Sequence, residues 1–165
     1  MRTLLYVEDE PDDVILARFV FKQLRFEVRL EVAPDGGAAI DYLSGTGAYS
    51  DRGAHPLPDI VLLDLKLPVK SGFEVLAWIR QQSDFTRLPV IIYSSSGADS
   101  DRQKAFLLGA SEYLVKPSGL APTKEAFTHL HQRWFSPAEA RPDFSPPAPA
   151  AAAQMTSAGN PAGQP

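Results

Sequence analysis

The sequence contains no cysteine, which excludes disulfide bonds, thiolate nucleophiles and cysteine-ligated metal sites. It has three histidines, His55, His129 and His131, and they are not spaced as a ligand cluster. His129 and His131 lie two positions apart on a predicted helix and therefore face different ways. We expect structural or solvent-exposed roles for these side chains rather than zinc ligation.

Long apolar runs and runs of lysine or arginine are also missing. No stretch reaches the ~18 consecutive apolar residues of a membrane-spanning helix, so no transmembrane segment is predicted. The first residues turn acidic at Glu8, which is not typical of a secretion signal, and we expect a cytoplasmic location. The formal net charge is −4, so direct binding to nucleic acid is not expected.

The chain divides by composition near position 135. Residues 136–165 contain seven prolines and nine alanines, and their larger apolar residues, Phe144 and Met155, are isolated. Such a segment buries too little apolar surface to offset the entropy lost on ordering, so a disordered Pro/Ala-rich tail is predicted. Residues 1–135 are long enough to form one domain with its own core.

Within residues 1–135, short apolar segments alternate with helical patterns. Strands are predicted at 4–7, 27–33, 59–64, 89–93 and 112–115, and helices at 14–24, 38–43, 72–82, 99–108 and 124–135. Residues 44–58 form a predicted long loop rich in Gly, Ser, Asp and Pro. This alternation predicts an α/β fold with a doubly wound parallel sheet, in which ligands bind beyond the C-terminal ends of the strands.

Polar residues follow four of the predicted strands. Glu8 and Asp9 follow the first, Asp64 ends the third, Ser94 follows the fourth and Lys116 the fifth. Three carboxylates brought together require a cation, and oxygen ligands alone favour Mg²⁺, with Mn²⁺ as the alternative. The metal and the lysine would together neutralise an added anion such as a phosphoryl group, an arrangement that suits phosphoryl transfer.

The remaining acids of the segment LYVEDEPDD are interpreted differently. Pro11 suits the first position of a helix, where its missing N–H costs nothing. Asp12 and Asp13 then fall in the first turn, where the helix dipole favours negative charge. We expect these two to stabilise the helix start and to have no part in the metal site, and we assign no catalytic role to Glu10.

The residues at the strand ends resemble the receiver domain of response regulators in two-component signalling. The resemblance covers roughly residues 2–132, and it rests on Glu8-Asp9, on Asp64 in LLDLKLPVKSG, on Ser94 in PVIIYSSS, and on Tyr113, Lys116 and Pro117 in LGASEYLVKP. It implies a flavodoxin-like (βα)5 fold with strand order 2-1-3-4-5. The loop 44–58 and the stretch DLKLPVKSGFEVLAWIR are similar to those of stand-alone regulators associated with bacterial phytochrome-type kinases.

The resemblance also implies roles for individual residues. Asp64 would accept a phosphoryl group from a sensor histidine kinase. Asp9 would bind Mg²⁺ directly, Glu8 would act on it largely through water, and Lys66 would contribute its backbone carbonyl. Lys116 and Ser94 would bind the phosphoryl oxygens. The chain would then assist its own phosphorylation and dephosphorylation without being an enzyme for other substrates.

Further implications concern signalling. Ser94 and Tyr113 would form the switch, although Tyr113 would also fit simple core packing, and Pro117 would follow a cis peptide bond. The output would pass to a downstream protein or phosphotransfer protein through the fourth helix, fifth strand and fifth helix. A homodimer through the last helix is left open, since an exposed apolar surface is expected from Phe127, Leu130 and Trp134.

Two alternatives remain at this stage. A pseudo-receiver would bind proteins without taking phosphate, but it usually lacks the aspartate or the lysine, and Asp64 and Lys116 are both present. An Asp-nucleophile phosphatase of the haloacid-dehalogenase kind needs a second acid two residues beyond the nucleophile. Lys66 occupies that position, which disfavours a phosphatase.

Overall fold

The computed structural model of the protein describes residues 1–135, and the predicted tail 136–165 lies outside the described residues. Five strands and five helices alternate along the chain. The strands are β1 (Arg2–Val7), β2 (Val28–Ala33), β3 (Ile60–Leu63), β4 (Val90–Ser94) and β5 (Glu112–Val115). The helices are α1 (Pro11–Leu24), α2 (Gly36–Ser44), α3 (Gly72–Gln81), α4 (Asp99–Leu107) and α5 (Leu120–Trp134).

The strands form one parallel sheet in the order β2-β1-β3-β4-β5, as the resemblance implied. Val7, the last residue of β1, pairs with Ala33 of β2 on one side and Leu63 of β3 on the other. Because the strands are parallel, their C-terminal ends meet along one edge of the sheet. The strand order reverses between β1 and β3, the position where α/β sheets bind ligands.

Side chains alternate between the two faces of the sheet and form a core on each. Leu5 and Leu63 pack on one face with residues of α2 and α3, and Leu4 and Leu62 pack on the other with residues of α1 and α5. The last helix contributes three buried side chains to the second core, Phe127, Leu130 and Trp134. The expected exposure of these three side chains is therefore wrong, and a homodimer stays an untested prediction.

Several element boundaries differ from the predicted ones. Helix α5 begins at Leu120, four residues before the predicted start, and includes Pro122. Proline is tolerated in the first turn of a helix because the N–H groups there have no intrahelical acceptor. Pro11 begins α1 as predicted. The peptide bond between Lys116 and Pro117 is trans, which contradicts the expected cis bond.

Two side chains join distant parts of the sheet and its helices. Arg80 of α3 donates from Nε to the Gly109 carbonyl at 2.9 Å, and from Nη1 to the carbonyls of Phe85 at 3.1 Å and Leu88 at 3.0 Å. Trp134 of α5 donates from Nε1 to Oε2 of Glu112 at 2.6 Å. Glu112 begins β5, so this second contact lies at the N-terminal ends of the strands, away from the C-terminal ends.

In residues 1–135, no helix is long and apolar enough to cross a membrane.

Candidate functional site

Three of the predicted site residues directly follow strands and continue the hydrogen bonding of the sheet. Each backbone N–H donates to a backbone carbonyl of the neighbouring strand: Glu8 to Ala33 at 3.0 Å, Asp64 to Val7 at 3.1 Å, and Lys116 to Ser94 at 2.9 Å. Their positions are thus set by the sheet rather than by free loops. This explains how residues far apart in sequence can be held within bonding distance of one another.

The ammonium group of Lys116 is the centre of the site. Its Nζ lies 2.5 Å from Oε2 of Glu8, 2.8 Å from Oδ2 of Asp13 and 3.0 Å from Oδ2 of Asp64. Burial alone would lower the pKa of Lys116, but the hydrogen bonds to Asp13 and Glu8 and the charge of Asp64 outweigh burial and raise this pKa. The side chain is therefore a firmly held cation.

Glu8 is buried but not without partners. Its Oε2 accepts a hydrogen bond from the Tyr6 hydroxyl at 2.8 Å in addition to the one from Lys116, and its Oε1 accepts one from the Glu10 N–H at 3.2 Å. Burial raises the pKa of Glu8, and the hydrogen bond and charge of Lys116 act in the opposite direction. With both oxygens engaged, Glu8 suits the predicted action through water on a metal.

Asp64 is 4% exposed and has two differently bonded oxygens. Its Oδ1 accepts hydrogen bonds from the N–H groups of Leu65 at 2.6 Å and Lys66 at 3.4 Å, whereas Oδ2 faces Lys116. Helix α3 starts against this residue, and a Cβ at Gly72 would lie 2.0 Å from the Asp64 carbonyl oxygen. Only glycine permits this approach, which fixes the backbone of Asp64 against the helix.

Glu8, Asp9 and Asp64 can jointly hold a metal ion. One ligand oxygen from each lies within 4.8 Å of the others. Asp13 adds a fourth carboxylate to the site, and Lys116 is the cation that contacts Glu8, Asp13 and Asp64. Negative charge therefore exceeds positive charge, and carboxylate oxygens are the donors that Mg²⁺ and Mn²⁺ bind. The donor set fits a divalent cation of this kind.

The predicted switch residues lie beside the site. Ser94 is fully buried at the end of β4, and its Oγ accepts a hydrogen bond from the Ser96 N–H at 3.4 Å. Tyr113 is packed inward, and its hydroxyl donates to the Ser96 carbonyl at 2.8 Å. The Ser96 hydroxyl in turn donates to Oδ2 of Asp101 at 2.5 Å. Ser96 thus connects β4 to both β5 and α4.

Two contacts of the site were not predicted. Tyr6 shares a strand face with Glu8 because side chains repeat every second residue, so the alternation offered a signal for that contact. Asp13 does lie in the first turn of α1, as predicted. The prediction that it lies apart from the site is wrong, because its carboxylate accepts a hydrogen bond from Lys116. No described contact involves the Lys66 carbonyl, and its metal role stays a prediction.

Comparison with known proteins agrees with this arrangement. Residues 4–128 match the protein family described as "Response regulator receiver domain". Response regulator Rcp1 of Synechocystis is 36% identical over 134 residues, which are 81% of this chain and 89% of Rcp1. These shares show that the likeness extends over most of both proteins.

Solved structures give the same result. Response regulator RPA3017, from red light signaling of R. palustris, has a TM-score of 0.78 and 34% identity, covering 82% of this chain and 95% of that one. The Mn²⁺-bound form of Rcp1 has a TM-score of 0.74 and 32% identity, with 82% and 96% covered. The phosphorylated cyanobacterial phytochrome response regulator RcpA has a TM-score of 0.75 and 29% identity, with 82% and 94% covered.

Proposed function

The chain belongs to the response-regulator receiver family of two-component signalling, and from that we propose that Asp64 is the residue that accepts the phosphoryl group. The observation that carries the proposal is the contact between Lys116 Nζ and Asp64 Oδ2 at 3.0 Å, beside an acidic cluster of two further carboxylates. A nucleophilic carboxylate, a fixed cation and a divalent metal site are the parts that phosphoryl transfer needs.

The donor would be a phosphohistidine of a sensor histidine kinase. An oxygen of Asp64 attacks phosphorus, the new O–P bond forms as the N–P bond breaks, and the electron pair returns to the imidazole nitrogen, which then takes a proton from solvent. The Leu65 N–H, which donates to Asp64 at 2.6 Å, holds the carboxylate in one orientation. Lys116 stabilises the negative charge of the transferred group.

Glu8, Asp9 and Asp64 would hold Mg²⁺, for which Mn²⁺ could substitute, and the Mn²⁺-bound form of Rcp1 supports a metal site in this family. The ion would supply positive charge to the phosphoryl oxygens. Asp9 would be a direct ligand, Glu8 would act largely through water, and Lys66 would contribute its carbonyl oxygen.

Output would pass through protein contacts made by α4, β5 and α5. These three elements expose four large apolar side chains, with exposed fractions of 42% for Phe106, 80% for Leu107, 42% for Val115 and 40% for Leu120. Ser94 would bind the phosphoryl group at the start of the change. The Tyr113 hydroxyl donates to the Ser96 carbonyl and so connects Ser96 to β5. Because the Ser96 N–H donates to Ser94 Oγ, a movement of Ser94 would be passed through Ser96 to β5.

Incubation with acetyl phosphate and Mg²⁺, followed by intact-mass measurement, tests the assignment. The wild-type chain should gain one phosphoryl group, Asp64→Asn should gain none, and Asp12→Asn, which changes an exposed acid, should gain one. A wild-type chain that gains nothing would favour the pseudo-receiver, and labelling of Asp64→Asn would exclude this residue as the acceptor. Sustained hydrolysis of a generic phosphate ester would favour the phosphatase.

A further inference from the structure

We infer that Asp13 is a positioning residue for Lys116, which holds the ammonium group before phosphorylation and is then replaced by a phosphoryl oxygen. Asp13 Oδ2 lies 2.8 Å from Lys116 Nζ. The inference rests on the proposed phosphorylation of Asp64. It assigns to the helix start a part in the reaction that a helix-capping acid would not have.

The first step of the argument is that Lys116 has no spare donor. An ammonium group has three N–H bonds. Three carboxylate oxygens already accept from Nζ, those of Glu8 at 2.5 Å, Asp13 at 2.8 Å and Asp64 at 3.0 Å. A phosphoryl oxygen can therefore be bonded only if one of these acceptors gives up its place.

The second step is that Asp13 is the acceptor that can leave at least cost. Its side chain is 39% exposed, whereas those of Glu8 and Asp64 are 0% and 6% exposed. A released Asp13 carboxylate would be solvated by water. A released Glu8 would remain a buried carboxylate without its cation, which is far more costly. We take Oδ1 of Asp64 as the oxygen that bonds phosphorus, so that Oδ2 remains the acyl carbonyl oxygen and keeps its hydrogen bond from Lys116.

The third step concerns space. A cavity of about 20 Å³ lies beside the contact and is bounded in part by Tyr6, Asp13, Tyr93 and Lys116. A cavity of roughly this size can admit one water molecule where polar groups are present. Asp13 also lies on the first turn of α1 at the protein surface. Its side chain can turn toward solvent while water takes the vacated position.

The charge of Asp13 has a kinetic consequence. It opposes the approach of an anionic phosphoryl donor and competes with it for Lys116. Asp13→Asn keeps the size of the side chain and one acceptor oxygen but removes the charge. We expect the second-order rate constant for phosphorylation by acetyl phosphate to rise about three- to tenfold, the size expected for one partly screened charge.

The experiment measures that rate constant at saturating Mg²⁺, using intact mass at several acetyl phosphate concentrations. Asp12→Asn is the matched control, because it removes the same charge from the same helical turn without a contact to Lys116. Its rate constant should stay near that of the wild type. Asp13→Glu restores the charge and should return the rate constant to the wild-type value, which a purely structural role of Asp13 would not predict.

The outcomes separate this inference from the proposed function. Equal rate constants for Asp13→Asn and Asp12→Asn would overturn the inference, while the labelling of Asp64 stood. A slower Asp13→Asn would do the same, since it would mean that Asp13 assists the transfer. A change in Mn²⁺ affinity alone, with an unchanged rate at saturating metal, would make Asp13 a metal ligand instead. A wild-type chain that takes no phosphoryl group would remove the basis for both.

Discussion

Tyr6 donates its hydroxyl hydrogen to Oε2 of Glu8 at 2.8 Å, across two positions of the same strand end. Both residues are only 1% exposed as a whole, so the contact is closed to solvent. Tyr6, Lys116 and the Glu10 N–H all donate to Glu8, and these hydrogen bonds oppose the rise in its pKa that burial causes. The phenol therefore favours the carboxylate form of Glu8, which the proposed metal site requires.

Tyr6→Phe should lower the free energy of unfolding more than Tyr42→Phe does. The Tyr42 hydroxyl donates to a neutral acceptor, the Pro56 carbonyl, at 2.8 Å. Hydrogen bonds to charged groups are worth about 1.5–3 kcal/mol, and those to neutral groups about 0.5–1.5 kcal/mol. Urea unfolding of the two metal-free variants measures the difference, and an equal loss in both would indicate that Glu8 is protonated in the folded state.

Asp9→Asn should weaken Mn²⁺ binding at least about tenfold, because it removes one anionic ligand from the acidic cluster. Titration calorimetry or electron paramagnetic resonance with Mn²⁺ alone measures the affinity. Asp12→Asn serves as the control for the change in net charge and should bind Mn²⁺ like the wild type. Equal affinities for wild type and Asp9→Asn would place the metal elsewhere.

Arg80→Lys should lower stability by about 2–4 kcal/mol, although it keeps the positive charge. The planar guanidinium donates to the carbonyls of Gly109, Phe85 and Leu88, and an ammonium group at the same position cannot reproduce that fork. Thermal or urea unfolding measures the loss, and the exposed Arg18→Lys is the control. Labelling of the folded variant by acetyl phosphate should be unchanged, because none of these carbonyls belongs to the site.

Stability should fall as the pH rises from about 10 towards 12, because the folded chain holds its tyrosines neutral. Burial raises the pKa of Tyr42 and of Tyr93 to about 12, and it raises the pKa of the other three tyrosines as well. A raised folded pKa contributes stability below the unfolded pKa, and that stability is lost above it. Near-ultraviolet absorbance should show tyrosinate forming at lower pH in the urea-unfolded chain than in the native one, and coincident titrations would contradict the prediction.

The architecture was predictable because the apolar runs of the central strands are buried on both faces. Ile60–Leu63 contains only buried residues, and an uninterrupted apolar run of this length is typical of a central parallel strand. The start of α5 was not predictable in the same way. Its N-cap residue is Gly119, which has no side chain to cap the helix, and Pro122 stands third in the helix rather than first, so the local signals do not mark Leu120 as the start.

The site was partly predictable for a related reason. Glu8, Asp64 and Lys116 each directly follow a strand, and parallel strands bring their ends together whatever the loops do. Asp13 was misjudged because its contact depends on how α1 lies across the end of β1, which is a tertiary relation that spacing along one helix does not contain. The trans bond before Pro117 was not predicted, because the expected cis bond was inferred from the resemblance alone.

The two tryptophans of the chain, Trp78 and Trp134, make intrinsic fluorescence a distance-sensitive reporter. Trp134 donates a hydrogen bond to Glu112 at the N-terminal ends of the strands, away from Lys116, and the Trp78 ring packs near Phe85. Neither indole lines the acidic site, so a bound ion would not quench them by direct contact. A change of tryptophan emission on phosphorylation would therefore indicate a rearrangement that extends from the acidic site to the N-terminal ends of the strands. An unchanged emission spectrum would indicate that the rearrangement stays near the site.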